Sequence, residues 1–505
     1  MVEAIASCHM PSVIAIDAGT TGVRSLLVDA SGAIVDVAYR ELTQSYPSPG
    51  WVEHDPEEIW RTVAETLVEV MERHADVDVA AIGITNQRET VVAFDRADGR
   101  VLAPAPVWQD KRTAAACEQL RAAGYLDEVR SATGLVLDPY FSATKMAWLI
   151  ESGCLEGAIS PALGTIDSWI AWRLTGGSSA GRFVTDPSNA SRTLLFDIDT
   201  LAWSDRLCQI FGVDSELLAE VVPSCGRIGL VDGDVVPSLA GVPLSGILGD
   251  QQSALFGQAC TEAGMAKATY GTGAFVLLQA GADRPETADG LLTTVAWDLG
   301  AHGGVSYALE GSAFVAGAAI QWLRDELGII SSAKETEALA LSVESSEGLS
   351  FIPAFVGLGS PWWDDSARGA IIGITRGTGR AQLARAVVDS LAFEVRAITD
   401  AMALASGRAV AEVRVDGGAA AMDLLLATQA EQSKVPVIRP TSLESTALGA
   451  AKIAGLAEGV WANLDELAQR WRASATFLPT DGLAELSDDA YRTWCDALDR
   501  SRGWV

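Results

Sequence analysis

The chain has 505 residues, 49% of them hydrophobic and 20% charged, which is more than one core can serve and implies two large domains or three. Its 36 Lys and Arg against 66 Asp and Glu leave a net charge of −30, scattered along the sequence, which repels phosphate backbones and excludes nucleic-acid binding. The seven cysteines form no C-x-x-C pair and the four histidines have no metal-ligand spacing, so reduced thiols and no zinc site are expected.

The opening "MVEAIASCHMPS" lacks the basic and apolar regions of a signal peptide. No apolar run approaches the ~20 residues of a membrane helix. A soluble, cytoplasmic protein without a membrane span is therefore expected. Residues 13–29, "VIAIDAGTTGVRSLLVD", read as a strand, a glycine turn and a second strand, and residues 33–41 can supply a third. "DPEEIWRTVAETLVEVMERH" (55–74) reads as a helix, with Asp55 as N-cap, Pro56 at the first position and an apolar stripe at Ile59, Val63, Leu67 and Val70. "VAAIGITNQ" (79–87) is a buried strand that ends on the adjacent Arg88 and Glu89. That pair is either a surface ion bridge or, at a strand end facing a cleft, a fork and an acceptor suited to vicinal hydroxyls.

"GSSAG" (177–181) satisfies G-x-S-x-G, but the segment before it looks helical and the one after it extended. It reads as a flexible loop rather than a nucleophile elbow. In "GILGDQQSALFG" (246–257), Asp250 lies among apolar neighbours, where a carboxylate is costly unless it is bound or used. After it the pattern recurs: "MAKATYGTGAFVLLQAG" (265–281) is again strand, glycine turn, strand. Helices are expected over 314–328 and 381–402, and a strand over 412–418 runs into a Gly-Gly turn that opens a further helix. Two halves that each open with a hairpin closed by a Gly-Thr turn suggest a duplicated α/β domain. A boundary near 250–262 gives domains 1–254 and 255–505 and places Asp250 at the cleft.

The turns "DAGTTG" (17–22), "YGTGA" (270–274) and "DGGA" (416–419) can present backbone N–H groups and hydroxyls to a nucleotide's phosphates. Neither G-x-x-x-x-G-K-[ST] nor G-x-G-x-x-G occurs.

From about residue 13 to 461 the chain resembles the FGGY carbohydrate kinases, and among them those acting on glycerol. The resemblance is carried by "GTT", "YPSPGWVEHDPEEIW", "AIGITNQRET", "VWQDKRT", "TGLVLDPYFSATKMAWL", "TDPSNASRTLLFDI", "GILGDQQSALFGQ", "GMAKATYGTG", "LEGSAFVAGAAIQWLRDE", "FVGLGSPWWDDSARGAIIGITRG" and "VDGGA". It implies a duplicated actin-like, ribonuclease-H-like α/β fold with ATP in a central cleft, and phosphorylation of glycerol to sn-glycerol 3-phosphate. By the same resemblance Arg88, Glu89, Tyr140, Asp250 and Gln251 bind the glycerol hydroxyls, Trp108 and Phe275 flank its carbons, and Asp250 is the general base. Thr20, Thr21, Gly22, Arg24, Thr272, Gly317, Gln321, Gly418 and Met422 hold the nucleotide, and Asp17 helps place Mg²⁺. A homodimer or homotetramer is implied as well.

Three departures stand out. Ala18, Gly22 and Val23 replace polar residues of the first turn, leaving backbone donors. Met422 and Asp423 stand where asparagines usually meet the adenine. The loop "VPSLAGVPLSG" has Gly241 in place of the arginine that binds fructose 1,6-bisphosphate in bacterial relatives. The alternatives are an FGGY kinase for another small polyol or ketose, such as erythritol or dihydroxyacetone, and a non-catalytic ATP-dependent sensor. Trp108 and Phe275 favour a three-carbon substrate over larger ones, and Asp250 with Arg88 and Glu89 favours an enzyme over a sensor.

Overall fold

A computed structural model describes residues 11–503. Expectations about Cys8, His9 and the leading segment lie outside these residues. The chain divides into two compact units, the first running to Ala259 and adding Thr294–Tyr307 and Ser445–Arg470. The second comprises Cys260–Thr293, Ala308–Glu444 and the segment from Trp471 onward. The contiguous division at 254/255 therefore differs from the packing.

The first unit is built on the strands Ser12–Ala18 (β1), Gly22–Val28 (β2), Ile34–Glu41 (β3), Val79–Asn86 (β4), Cys225–Leu230 (β5) and Pro243–Gly249 (β6). They form one sheet in the order β5-β6-β4-β1-β2-β3. β1 runs antiparallel to β2 and parallel to β4, which is parallel in turn to β6. The helix Pro56–Arg73 (α1) starts where its punctuation predicts, with the Asp55 side chain accepting from the Glu57 N–H, and buries Ile59, Val63, Leu67, Val70 and Met71.

A second sheet, most of it from the second unit, repeats this plan. Met265–Tyr270 (β7), Ala274–Gly281 (β8), Leu292–Asp298 (β9), Val305–Ala313 (β10), Glu412–Asp416 (β11), Val437–Pro440 (β12) and Ala473–Phe477 (β13) make a sheet ordered β9-β10-β8-β7-β11-β12-β13. β7 pairs antiparallel with β8 and parallel with β11, and β11 is parallel to β12. Strand for strand, β13-β12-β11-β7-β8-β10 matches β5-β6-β4-β1-β2-β3. This is the duplicated actin-like, ribonuclease-H-like α/β plan.

The helix expected over 314–328 is shorter, Gly317–Asp325 (α2). The N–H groups of Ala316, Gly317 and Ala318 are spent on the carbonyls of Gly271 and Thr272, which holds this stretch against the Gly-Thr turn before the helix can begin. The helix expected over 381–402 is longer, Arg380–Ser406 (α3). β11 leads through a short 3-10 turn, Gly418–Ala421, into the helix Asp423–Ser433 (α4). The return of Ser445–Arg470 to the first unit is made by the helix Ser445–Ala457 (α5), apolar on nearly every face and buried along its length. The "GSSAG" segment is an exposed helical turn, Gly177–Ala180, preceded by a helix and not by a strand, so no nucleophile elbow forms.

Candidate active site

Three parallel strands of the first unit end side by side: Ala18 of β1 and Gly249 of β6 both lie opposite Asn86 of β4. Polar residues immediately past such carboxyl ends converge, as in open α/β sheets generally. Past β4 come Gln87, Arg88 and Glu89; past β6 comes Asp250, the first residue of the helix Asp250–Gly257 (α6).

Arg88 and Glu89 are each only 2% exposed, so they are not a surface bridge. The Arg88 guanidinium forms an ion pair of 3.2 Å with Asp250 and lies 3.5 Å from Glu89. It donates to Gln252 Oε1 at 3.1 Å and to the Tyr140 hydroxyl at 3.2 Å. Glu89 also accepts from Arg192 Nε at 2.8 Å. Gly249 lets this fork lie flat across the strand end, since a methyl group there would come within 2.7 Å of the Arg88 side chain. The Asp250 side chain keeps 31% of its surface exposed, enough to meet a substrate while its counter-cation is held rigidly beside it. Gln251 follows on the same first turn, its N–H donating to Asp250 Oδ1 at 2.7 Å.

Behind Asp250 runs a buried relay. The Gly249 N–H donates to Ser188 Oγ at 2.9 Å, and that hydroxyl donates to Asp186 at 2.9 Å. Asp186 also takes hydrogen bonds from Ser224 and from the Asn189 amide. The start of α6 is thus fixed by a fully hydrogen-bonded polar network.

Trp108 stands edge-on to Tyr140, ring centroids 5.5 Å apart, and its Nε1 donates to Thr20 Oγ1 at 2.9 Å. Its backbone N–H reaches Thr90 Oγ1 at 3.3 Å, Thr90 donates to Gln87 at 2.7 Å, and Gln87 Nε2 reaches the Gly19 carbonyl at 3.2 Å. These bonds close a ring that ties the aromatic wall to the Gly-Thr turn. His54 lies beneath it, 3.2 Å from Gln87, and burial lowers its pKa to about 4, so the imidazole there is neutral at physiological pH.

Within the turn, the Gly19 N–H bonds the Gly22 carbonyl at 3.0 Å, and Thr21, exposed, accepts at its carbonyl from the Leu42 N–H. Asp17, buried at the end of β1, pairs with Arg24 at 2.6 Å across the hairpin. Among the described residues no cluster of three metal-ligating side chains occurs. One carboxylate beside a Gly-Thr turn is nevertheless a donor set that suits Mg²⁺, which binds through one or two carboxylates plus phosphate oxygens and keeps its waters.

In the second unit, Thr272 is exposed at the tip of the Gly-Thr turn and α2 opens against it. Gly317 is required there, because a Cβ would stand 2.6 Å from the Gly271 carbonyl oxygen. Gln321 is exposed on α2, and Gly418 is exposed with open space around its Cα. Phe275 is half-buried on β8, opposite Thr269, and belongs to the second unit, not to the Arg88 cluster. Met422 is 7% exposed and packs into the core of this unit, which leaves it little surface to offer a base. Asp423 beside it is exposed and paired with Arg439 at 2.8 Å.

Gln252, Arg192, Ser188, Asp186 and Gln87 are site residues that the motifs alone did not single out. Gln252, as the second glutamine of "GDQQ", and Gln87, directly before Arg88, had a local signal; the others reach the site through the fold.

Residues 12–257 match the N-terminal-domain model, and residues 266–458 the C-terminal-domain model, of the FGGY family of carbohydrate kinases. Among curated relatives, the glycerol kinase of Aromatoleum aromaticum is 48% identical over 98% of this chain and 100% of its own length. That of Carboxydothermus hydrogenoformans is 48% identical over 97% of this chain and 98% of its own. Among solved structures, Plasmodium falciparum glycerol kinase with ADP superposes with a TM-score of 0.92 at 33% identity, covering 97% of this chain and 98% of its own. A xylulose kinase from Lactobacillus acidophilus, 22% identical with a TM-score of 0.88 over 98% and 99%, shares the fold.

Proposed function

We propose that this chain, which belongs to the FGGY family of carbohydrate kinases, transfers the γ-phosphoryl group of ATP to a terminal hydroxyl of glycerol, giving sn-glycerol 3-phosphate. The observation that carries the reading is the buried Arg88 fork, which holds Asp250, Glu89, Gln252 and Tyr140 at one strand end. Full-length identity of 48% to glycerol kinases supports the substrate, and the likeness to a glycerol kinase with ADP supports the nucleotide.

Two adjacent hydroxyls can each exchange hydrogen bonds with a guanidinium N–H and a carboxylate oxygen, which Arg88 and Glu89 offer side by side. Tyr140 and Gln251 contribute a hydroxyl and an amide, and Trp108 and Phe275 apolar faces for the carbon chain. Asp250 accepts the proton of the attacking hydroxyl at its carboxylate oxygen. Because phosphoryl transfer is mostly positioning and charge neutralisation, the Ser188–Asp186 relay contributes by holding the Gly249 backbone, and with it the start of the helix that carries Asp250, in place. Thr20, Thr21, Gly22 and Arg24 on the first turn, and Thr272, Gly317, Gln321 and Gly418 in the second unit, bind the nucleotide. Asp17 is the residue that would hold Mg²⁺, which neutralises phosphate charge when bound. The enzyme would work in the cytoplasm as a homodimer or homotetramer.

Coupled ADP release measured over a panel of polyols and ketoses tests the reading, together with Asp250→Asn. Glycerol should have the highest kcat/KM, and the variant should lose about 10²–10⁴-fold in kcat. Preference for erythritol or dihydroxyacetone, or near-normal turnover in the variant, would remove the substrate or the base from the assignment.

A further inference from the structure

Tyr140 precedes the helix Ser142–Glu151 (α7), and the fourth residue of that helix is Lys145. Two costs attach to a lysine there. It is 0% exposed, and it sits in the first turn, where the helix dipole disfavours a cation. Its ammonium is placed in return where three acceptors converge: Nζ donates to the carbonyls of Pro139 at 2.8 Å, Tyr140 at 2.7 Å and Phe141 at 2.8 Å. Three N–H bonds meet three successive carbonyls, which uses the whole donor capacity of a lysine.

The other edge of the same segment is held by Asp138. Its side chain accepts from the Tyr140 N–H at 2.8 Å, and its carbonyl accepts from the Phe141 N–H at 3.2 Å. Donors and acceptors of residues 139–141 are thus clasped from opposite sides; from this segment the Tyr140 hydroxyl accepts from Arg88, and the rings of Tyr140 and Phe141 lie beside the Arg192 guanidinium at 5.7 and 5.2 Å. Burial pushes the lysine pKa down to about 7, while the carboxylates of Glu89, Asp110 and Asp138 favour the charged form.

We infer that Lys145 is a positioning residue of the polyol site: its clasp on the carbonyls of residues 139–141 sets the Tyr140 hydroxyl against Arg88. The inference rests on Tyr140 touching substrate, as in the reading above. A guanidinium carries at most two N–H groups on any one nitrogen, and a neutral amide has only two, so neither Arg nor Gln replaces the lysine in full.

The test is steady-state kinetics on Lys145→Met, Lys145→Gln, Tyr140→Ala and the Lys145→Met/Tyr140→Ala pair, with thermal unfolding of each. Lys145→Met should raise the glycerol KM about tenfold, with the ATP KM and kcat changed no more than about twofold, and Lys145→Gln should fall in between. In the Tyr140→Ala background the lysine substitution should add almost nothing, because its route to the substrate is already gone. If Lys145→Met does not fold, Lys145→Gln and its pair with Tyr140→Ala carry the same comparison. A normal glycerol KM in a folded lysine variant, parallel loss of ATP and glycerol affinity, or additive effects with Tyr140→Ala would overturn the inference. A normal glycerol KM in Tyr140→Ala alone would instead overturn the placement of Tyr140 in the site.

Discussion

At the scale of single residues, buried charge among the described residues of the first unit occurs where hydrogen bonds surround it. Arg88, Glu89 and Arg192 form one such group, and Asp186 with Ser188, Asn189 and Ser224 forms another. Asp167 is the test of the rule. It is fully buried, receives the hydroxyls of Thr165 at 2.5 Å and Thr185 at 2.7 Å, and has no cation among the groups that set its pKa, which burial raises to about 7. The folded protein therefore keeps a proton that the unfolded chain releases above the ordinary carboxylate range. Stability from this group is full at acid pH and declines as pH rises toward about 7. Asp167→Asn carries no charge at any pH, and its amide can still meet both threonines. Thermal unfolding should show the variant gaining on the wild type as pH goes from 5 to 8. A variant that instead loses ground at pH 8 would mean the carboxylate is ionised and stabilising there.

Which residues could be read from sequence follows from range. Arg88 and Glu89 are adjacent and end a strand, so a cleft role was legible beside the surface alternative. Arg192 lies 103 positions from Glu89, and Ser188, which Asp186 holds, lies 61 positions from Gly249, so no local spacing carries that information.

At the scale of elements, the hairpins and α1 were legible because alternation, capping and a 3.6-residue stripe are local signals. The start of α2 was not, because the donors that delay it are taken by a turn more than forty residues earlier. The allegiance of α5 was not legible either. Apolar on nearly every face, it announces burial without saying against which sheet. Its placement depends on small residues at close contacts: a methyl group at Gly449 would overlap the Ser253 carbonyl oxygen of α6, and one at Gly83 of β4 would overlap the Ala450 carbonyl oxygen. Gly449→Ala should therefore force α5 away from α6, the helix that begins with Asp250. Such overpacking costs about 1–3 kcal/mol. A lower midpoint in chemical denaturation, together with reduced kcat, is expected. An unchanged midpoint would mean that the two helices separate without penalty.

At the scale of the whole molecule, the doubled sheet plan was foreshadowed by the paired Gly-Thr turns, whereas its discontinuous assembly was not, since chain returns leave no mark in local pattern. Charge is the other whole-molecule property, and it bears on regulation. A net charge of −30 surrounds any anionic effector with repulsion, which only a local cluster of cations can overcome. By the resemblance to bacterial relatives, an arginine before "GDQQ" would supply such a cation for fructose 1,6-bisphosphate. Here the corresponding loop, residues 232–243, contains no Arg, Lys or His. It folds back on itself, with the Gly241 N–H on the Val231 carbonyl and the Val231 N–H on the Val242 carbonyl, and its exposed end begins with Asp232 and Asp234. Gly241, at a φ of 77°, occupies a left-handed turn position that an arginine would adopt only under strain. A bisphosphate arriving there meets carboxylates and keeps its hydration. Glycerol-dependent ADP release should be unaffected by millimolar fructose 1,6-bisphosphate at low ionic strength, and phosphohistidine transfer to this loop should not activate the enzyme because it holds no acceptor. Saturable inhibition that deepens with protein concentration would show that a basic surface elsewhere on the assembled protein has taken the place of the missing arginine.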